Sequence, residues 1–265
     1  MLSLPEYAPW IVPTVPIAVA AALRPPRTWY FWGTAFFAVM AYLVQSIAAT
    51  LTFVVLLAWH KAHPTHTPQE LRALMYDGAW LALAVIVAGP FLLAVLWGAI
   101  RLARQRFADY LALVWPGGRE LARGLAMMGA LLLVWLAIAY LTGQQAPAFA
   151  INAYISAQAN GWLPAYLIAM CIAAPVTEEF LVRGFLFRGW SQSFLRPTGA
   201  IVLSSAVWAA AHTQYNLFYV FEIFTTGLLL GYLRYRYGST WLTVIIHSAI
   251  NLVAAIEVAL IVAFA

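Results

Sequence analysis

The sequence predicts an all-α, polytopic integral membrane bundle of about seven to eight transmembrane helices. Three observations predict it. Hydrophobic residues make up 65% of the 265-residue chain and charged residues only 9%, whereas a soluble domain carries about 25% charged residues. The apolar residues fall in long runs, several near the roughly 20 residues a helix needs to cross a bilayer. Twelve tryptophans and thirteen tyrosines supply the aromatic side chains favoured at lipid–water interfaces.

Apolar helices are expected near 8–23, 28–59, 78–100, 124–143, 162–187, 198–213, 217–233 and 240–264. The first is short and holds Pro13 and Pro16, which suits a re-entrant or interfacial segment as well as a crossing one. The second is long enough to tilt or to extend past the lipid. The stretch 101–123 has Arg101, Arg104 and Arg106 ahead of Tyr110 and Trp115, and reads as an interfacial amphipathic segment. The run 162–187 contains Pro175, expected to kink it. A proline there also frees a backbone carbonyl that something polar must satisfy.

Arginine placement orients the set. Arg24, Arg27, Arg101, Arg104, Arg106, Arg119, Arg123, Arg188, Arg196, Arg234 and Arg236 fall in alternate connections, while the others hold only Lys61 and Arg72 or no basic residue. The positive-inside rule puts the first set in the cytoplasm and the C-terminus outside. The expected location is the cell (inner) membrane. The net charge of +5 reflects these connections, which meet anionic lipid; no nucleic-acid partner is expected. Cys171 is alone, so no intrachain disulfide or thiolate zinc cluster forms. The N-terminus lacks the basic start of a signal peptide, and no cleaved leader is expected. No internal repeat or long hydrophilic stretch divides the chain. Residues 1–265 form one integral membrane domain.

An ionisable group inside a membrane span is costly and marks a functional site by default. Glu178-Glu179-Phe180-Leu181-Val182-Arg183 carries three. On a helix, Glu179 and Arg183 are four apart, share a face and can pair. Glu178 points about 100° away and keeps a free carboxylate suited to a general base. Taken alone, an EExxxR pattern is more often an ion pair at a helix end.

Two histidines follow on later runs. His212 ends Trp208-Ala209-Ala210-Ala211-His212, and His247 precedes Asn251 by four residues. Glu178 lies ten residues from Arg188, about 15 Å along a helix, and His247 seven from Thr240, about 10 Å. If its helix starts near Val202, His212 also lies about 15 Å deep. One cavity in the cytoplasmic half of the membrane could then hold Glu178, His212, His247 and Asn251. Either histidine alone is more often a buried imidazole bonded to a neighbouring helix. His60, His63 and His66 sit in a polar, proline-containing outer connection and read as solvated. Glu222 and Glu257 fall within spans without an assigned role.

These three motifs resemble the CAAX-processing and bacteriocin-processing (CPBP, or Abi) family of intramembrane proteases. Its motifs EExxxR, FxxxH and HxxxN/B lie in that order on successive helices. Here they read Glu178–Arg183, Trp208–His212 and His247–Asn251, with Trp208 where the family usually has Phe. The resemblance covers about residues 160–253, the expected catalytic core. It implies a membrane endopeptidase acting on a prenylated CAAX-type tail, a leader or another membrane-associated peptide. Glu178 and His212 would activate water, and His247 and Asn251 would stabilise the oxyanion. Glu179 and Arg183 would hold the helix end and orient Glu178. The residues permit a metal-free reaction. They also permit one with a divalent metal such as zinc on Glu178, His212 and His247. HExxH, GxGD and GxSxG motifs are absent. Other readings of the polar residues are a proton-coupled transporter and a non-catalytic immunity or scaffold protein.

Overall fold

The computed structural model describes residues 27–59 and 77–264. The run 8–23 and the histidines at 60, 63 and 66 lie outside them. The described residues are helical, with α1 Tyr30–Trp59, α2 Gly78–Leu102, α3 Phe107–Tyr110, α4 Gly118–Thr142 and α5 Ala148–Ala159. Then come α6 Leu163–Ser191, α7 Arg196–Ala210, α8 Leu217–Tyr237 and α9 Thr240–Phe264. Six of these, α1, α2, α4, α6, α8 and α9, are long and apolar enough to cross a membrane. The expected count of seven to eight is therefore approximate. The run 198–213 forms α7, whose 15 residues fall short of a full crossing.

The bundle is inverted relative to a soluble protein. Its outside carries Trp32, Phe36, Val39, Leu43 and Leu51, while Thr177, Glu179, Arg183, Ser204, Ser205 and His247 are buried. Lipid solvates the outer side chains, so polar groups turn inward and bond to each other. This is an integral membrane protein.

Helix α6 is the central element. In its most apolar window 44% of residues are buried, against 6% for α1, so α6 is a core helix and α1 a peripheral one. Leu92, Leu96 and Ile100 of α2 meet Phe180 and Phe185 of α6 and Val244 of α9. On another side, Val182 meets Trp208, Leu230, Leu242 and Ile246. Helices α7 and α8 approach closely because α8 offers glycines four apart. A Cβ on Gly227 would lie 2.9 Å from Ser205 Cβ, and one on Gly231 2.9 Å from Ile201 Cγ2. This is the small-residue packing that lets membrane helices touch.

Two features, one at each end of the bundle, depart from expectation. The stretch 101–123 is not a surface-lying helix. It breaks into the end of α2, the four-residue α3 and a turn, and Tyr110 and Leu111 are fully buried. The turn is pinned by Ser239 and Thr240, whose hydroxyls donate to the Val114 and Leu111 carbonyls. Helix α5 was not expected at all. Its Asn152, Ser156 and Gln158 mask an apolar stripe of Ala153 and Ala157, which seats against Gly78; there Ser156 Oγ accepts from the Gly78 N–H at 2.7 Å.

Candidate active site

The middle of α6 departs from α-helical register twice, over Ala169–Ala173 and Phe180–Leu186, where the ladder widens to i→i+5. Such π-bulges often accompany functional sites. Here the first has a visible cause. Ala174 N–H donates to the Ala169 carbonyl, so the next donor in that register should serve Met170. That residue is Pro175, which has no N–H. Asn251 of α9 fills the gap: its Nδ2 donates to the Met170 carbonyl at 2.7 Å. The freed carbonyl expected from Pro175 is thus satisfied by one of the expected site residues.

Glu178 and Glu179 follow directly and diverge. Glu179 is fully buried, and its Oε1 accepts from Arg183 Nη1 at 2.8 Å and from His247 Nδ1 at 3.0 Å. The Arg183 pair was legible from the four-residue spacing. The His247 contact was not, because it crosses 68 positions. Glu179 therefore does more than hold a helix end; it orients an imidazole on α9. Arg183 Nη2 also donates to the Gly227 carbonyl at 3.3 Å. The glycine lets the guanidinium approach, since a Cβ there would lie 3.2 Å from Nη2.

Glu178 is half-buried and turns the other way. Its Oε2 accepts from the Trp208 indole N–H at 2.6 Å, so the carboxylate is anchored at one oxygen rather than free. Trp208 joins the site together. Arg183 lies over its ring, 4.4 Å from guanidinium carbon to centroid. The rings of His212 and His247 meet the indole edge-to-face, with centroids 5.3 and 5.2 Å away. His212 Nδ1 donates to the Trp208 carbonyl at 2.7 Å. A carbonyl only accepts, so Nδ1 carries the proton and Nε2 of the neutral ring keeps its lone pair.

The sequence spacing placed His212 within a helix starting near Val202. Its helix starts instead at Arg196, and His212 falls in the turn after Ala210. Counted from the basic end it sits about 24 Å along α7, and it reaches the other residues through Trp208. Tyr215 lies in the same turn, its ring 6.2 Å from His212. Burial, with the charges of Glu178 and Glu222 behind it, pushes its hydroxyl up to about 12, so it is a neutral donor beside the site. No sequence motif marks it. Glu222 is half-buried and Glu257 exposed.

The possible zinc set does not assemble. Among the described residues no three His, Cys, Asp or Glu side chains are grouped to hold a metal ion. Glu178 and His212 are each tied to Trp208, and His247 to Glu179. No step below is routed through a metal.

Residues 160–253 match the family described as type II CAAX prenyl endopeptidase Rce1-like. The matched segment, about a third of the chain, is similar to that family. It contains α6 to α8 and the first half of α9, and so every residue of the site just described. An Escherichia coli protein described as an uncharacterized 24.3 kDa protein is 34% identical over 84 residues. That match covers 31% of this chain and 38% of the bacterial protein, so the chain spans well under two thirds of that relative. No solved structure matches. The Rce1-like segment agrees with the CPBP resemblance carried by the three motifs.

Proposed function

We propose that the protein is an intramembrane endopeptidase acting on a membrane-associated peptide, with a prenylated CAAX-type tail as the first substrate class to test. The observation that carries this reading is the gathering of Glu178, His212 and His247 around the Trp208 indole, two carboxylate–donor pairs in one low-dielectric interior.

Glu178 is the general base. The Trp208 N–H holds one of its oxygens, leaving the other to take a proton from water. His212 Nε2 is a second acceptor for that water. The water oxygen attacks the scissile carbonyl, and the protonated acid–base pair returns a proton to the leaving amine. His247, held through Nδ1–H by Glu179, presents Nε2 away from that carboxylate. In its imidazolium form it donates from Nε2 to the developing oxyanion. Glu179 Oε1 fixes the ring, accepting from His247 Nδ1 and from Arg183 Nη1 together. Asn251 has one amide N–H on Met170 and a second to offer the oxyanion. The working site lies toward the Arg-rich, cytoplasmic half of the membrane.

The test is cleavage of a prenylated fluorogenic peptide by purified protein in lipid. Glu178→Gln and His212→Ala should each abolish turnover while the protein stays folded. Normal cleavage by both overturns the assignment. Glu178-dependent proton flux in sealed vesicles, without cleavage, would support a transporter instead.

A further inference from the structure

Arg183 has Glu179, but two other arginines of the core's basic end have no acid among the described residues. Arg234 is 6% exposed. Its Nε donates to the Arg183 carbonyl and to Thr240 Oγ1, and no carboxylate pairs with it among the described residues. Arg188, at the end of α6, is half-buried, and its Nε is enclosed without a partner. Arg234 lies over the ring of Phe187, the residue before Arg188, with 5.4 Å from guanidinium carbon to ring centroid. Beside them stand the hydroxyls of Thr34 and Tyr110, both fully buried and neither in a well-formed hydrogen bond. Arg188 lies 5.9 Å from the Tyr110 ring.

Buried charges are normally paired, and two cations brought to the same end of the core without an acid repel. The described carboxylates do not supply an answer. Asp109 pairs with Arg106, Glu120 caps the Gly117 N–H, and Glu178 and Glu179 are engaged at the site. Asp77, Glu222 and Glu257 lie toward the opposite ends of their helices. A ligand of opposite charge therefore fits. The position selects its class. It lies where α6, α8 and the α2–α4 connection reach the basic face, level with lipid headgroups. Arginine pairs match the geometry of phosphate oxygens, and basic pockets between membrane helices on this side suit phosphate headgroups.

We propose that Arg188 and Arg234 form a phosphate-binding site at the basic end of the bundle, filled by an anionic phospholipid headgroup or by free phosphate. Bound phosphate neutralises the pair and locks the end of α6 to α8. Because Arg234 also holds the Arg183 carbonyl, the ligand braces the helix that carries Glu178 and Glu179.

Native mass spectrometry of the whole protein in neutral detergent tests this, with added dioleoylphosphatidylglycerol in one arm and inorganic phosphate in the other. Arg188→Gln is the main variant, because Arg188 has no hydrogen bond within the described protein to lose. The wild type should retain one tightly held phosphatidylglycerol, and Arg188→Gln should bind it at least about tenfold more weakly, the loss expected for one charge-assisted contact. Arg188→Lys should recover part of the binding. Displacement by inorganic phosphate would identify free phosphate as a sufficient ligand; resistance to it would identify the lipid headgroup. Equal phosphatidylglycerol retention by wild type and Arg188→Gln, or none by either, overturns the proposal.

Discussion

Trp208 concentrates four roles in one residue. Its N–H holds Glu178, its carbonyl fixes the His212 tautomer, its ring face carries Arg183, and its edges meet both imidazoles. Trp208→Phe keeps an aromatic ring but removes the N–H donor and the pyrrole part of the indole. Turnover should fall by at least roughly ten- to a hundredfold, the loss of one hydrogen bond to a charged group, with a modest drop in melting temperature from the space left behind. An unchanged rate would mean that Glu178 does not depend on that anchor. His247→Ala removes the proposed oxyanion donor and should lower kcat by about 100- to 1,000-fold with little change in KM; a rise in KM alone would count against the role. Arg183→Ala tests a different property. It leaves Glu179 buried with only His247, and breaking a buried ion pair costs about 3–5 kcal/mol, visible as a large drop in melting temperature in detergent.

At the scale of elements, the π-bulge in α6 and Asn251 in α9 form one device. Pro175 withholds a donor and Asn251 replaces it at the Met170 carbonyl. Asn251→Ala should cost about 1–3 kcal/mol by leaving that carbonyl unsatisfied. In a Pro175→Ala background the backbone N–H returns, so the same substitution should cost less. Additive losses in this double-mutant cycle would show the two residues to be independent. Gly227 is the corresponding point between α7 and α8. Gly227→Ala places a methyl against Ser205 and Arg183, and should destabilise by about 1–3 kcal/mol through overpacking while also lowering turnover.

For the molecule as a whole, the ends differ in charge. The α2–α4 connection, the end of α6, the start of α7 and the end of α8 carry arginines, and Arg27 joins them by bonding the Ala103 carbonyl. Helix α9 runs from that end to the other. A reporter fused at the C-terminus should therefore be active only when exported, and one inserted after Arg104 only when cytoplasmic; the reverse pattern would invert the orientation.

The sequence alone determined the long apolar helices among the described residues, their order and the Glu179–Arg183 pair, since hydropathy and four-residue spacing are local properties of the chain. It also named the candidate residues Glu178, His212 and His247, because ionisable groups in apolar runs stand out. Helix α5 escaped because its 12 residues are too few for a span and Asn152, Ser156 and Gln158 interrupt its apolar run. Only the tertiary structure decided that Glu179 reaches His247, that Asn251 serves Met170 and that Tyr110 is buried. It also decided that the Trp208 indole gathers Glu178 and both histidines. Those contacts join positions tens of residues apart, and how helices lean together in lipid fixes them, not the periodicity within any one helix.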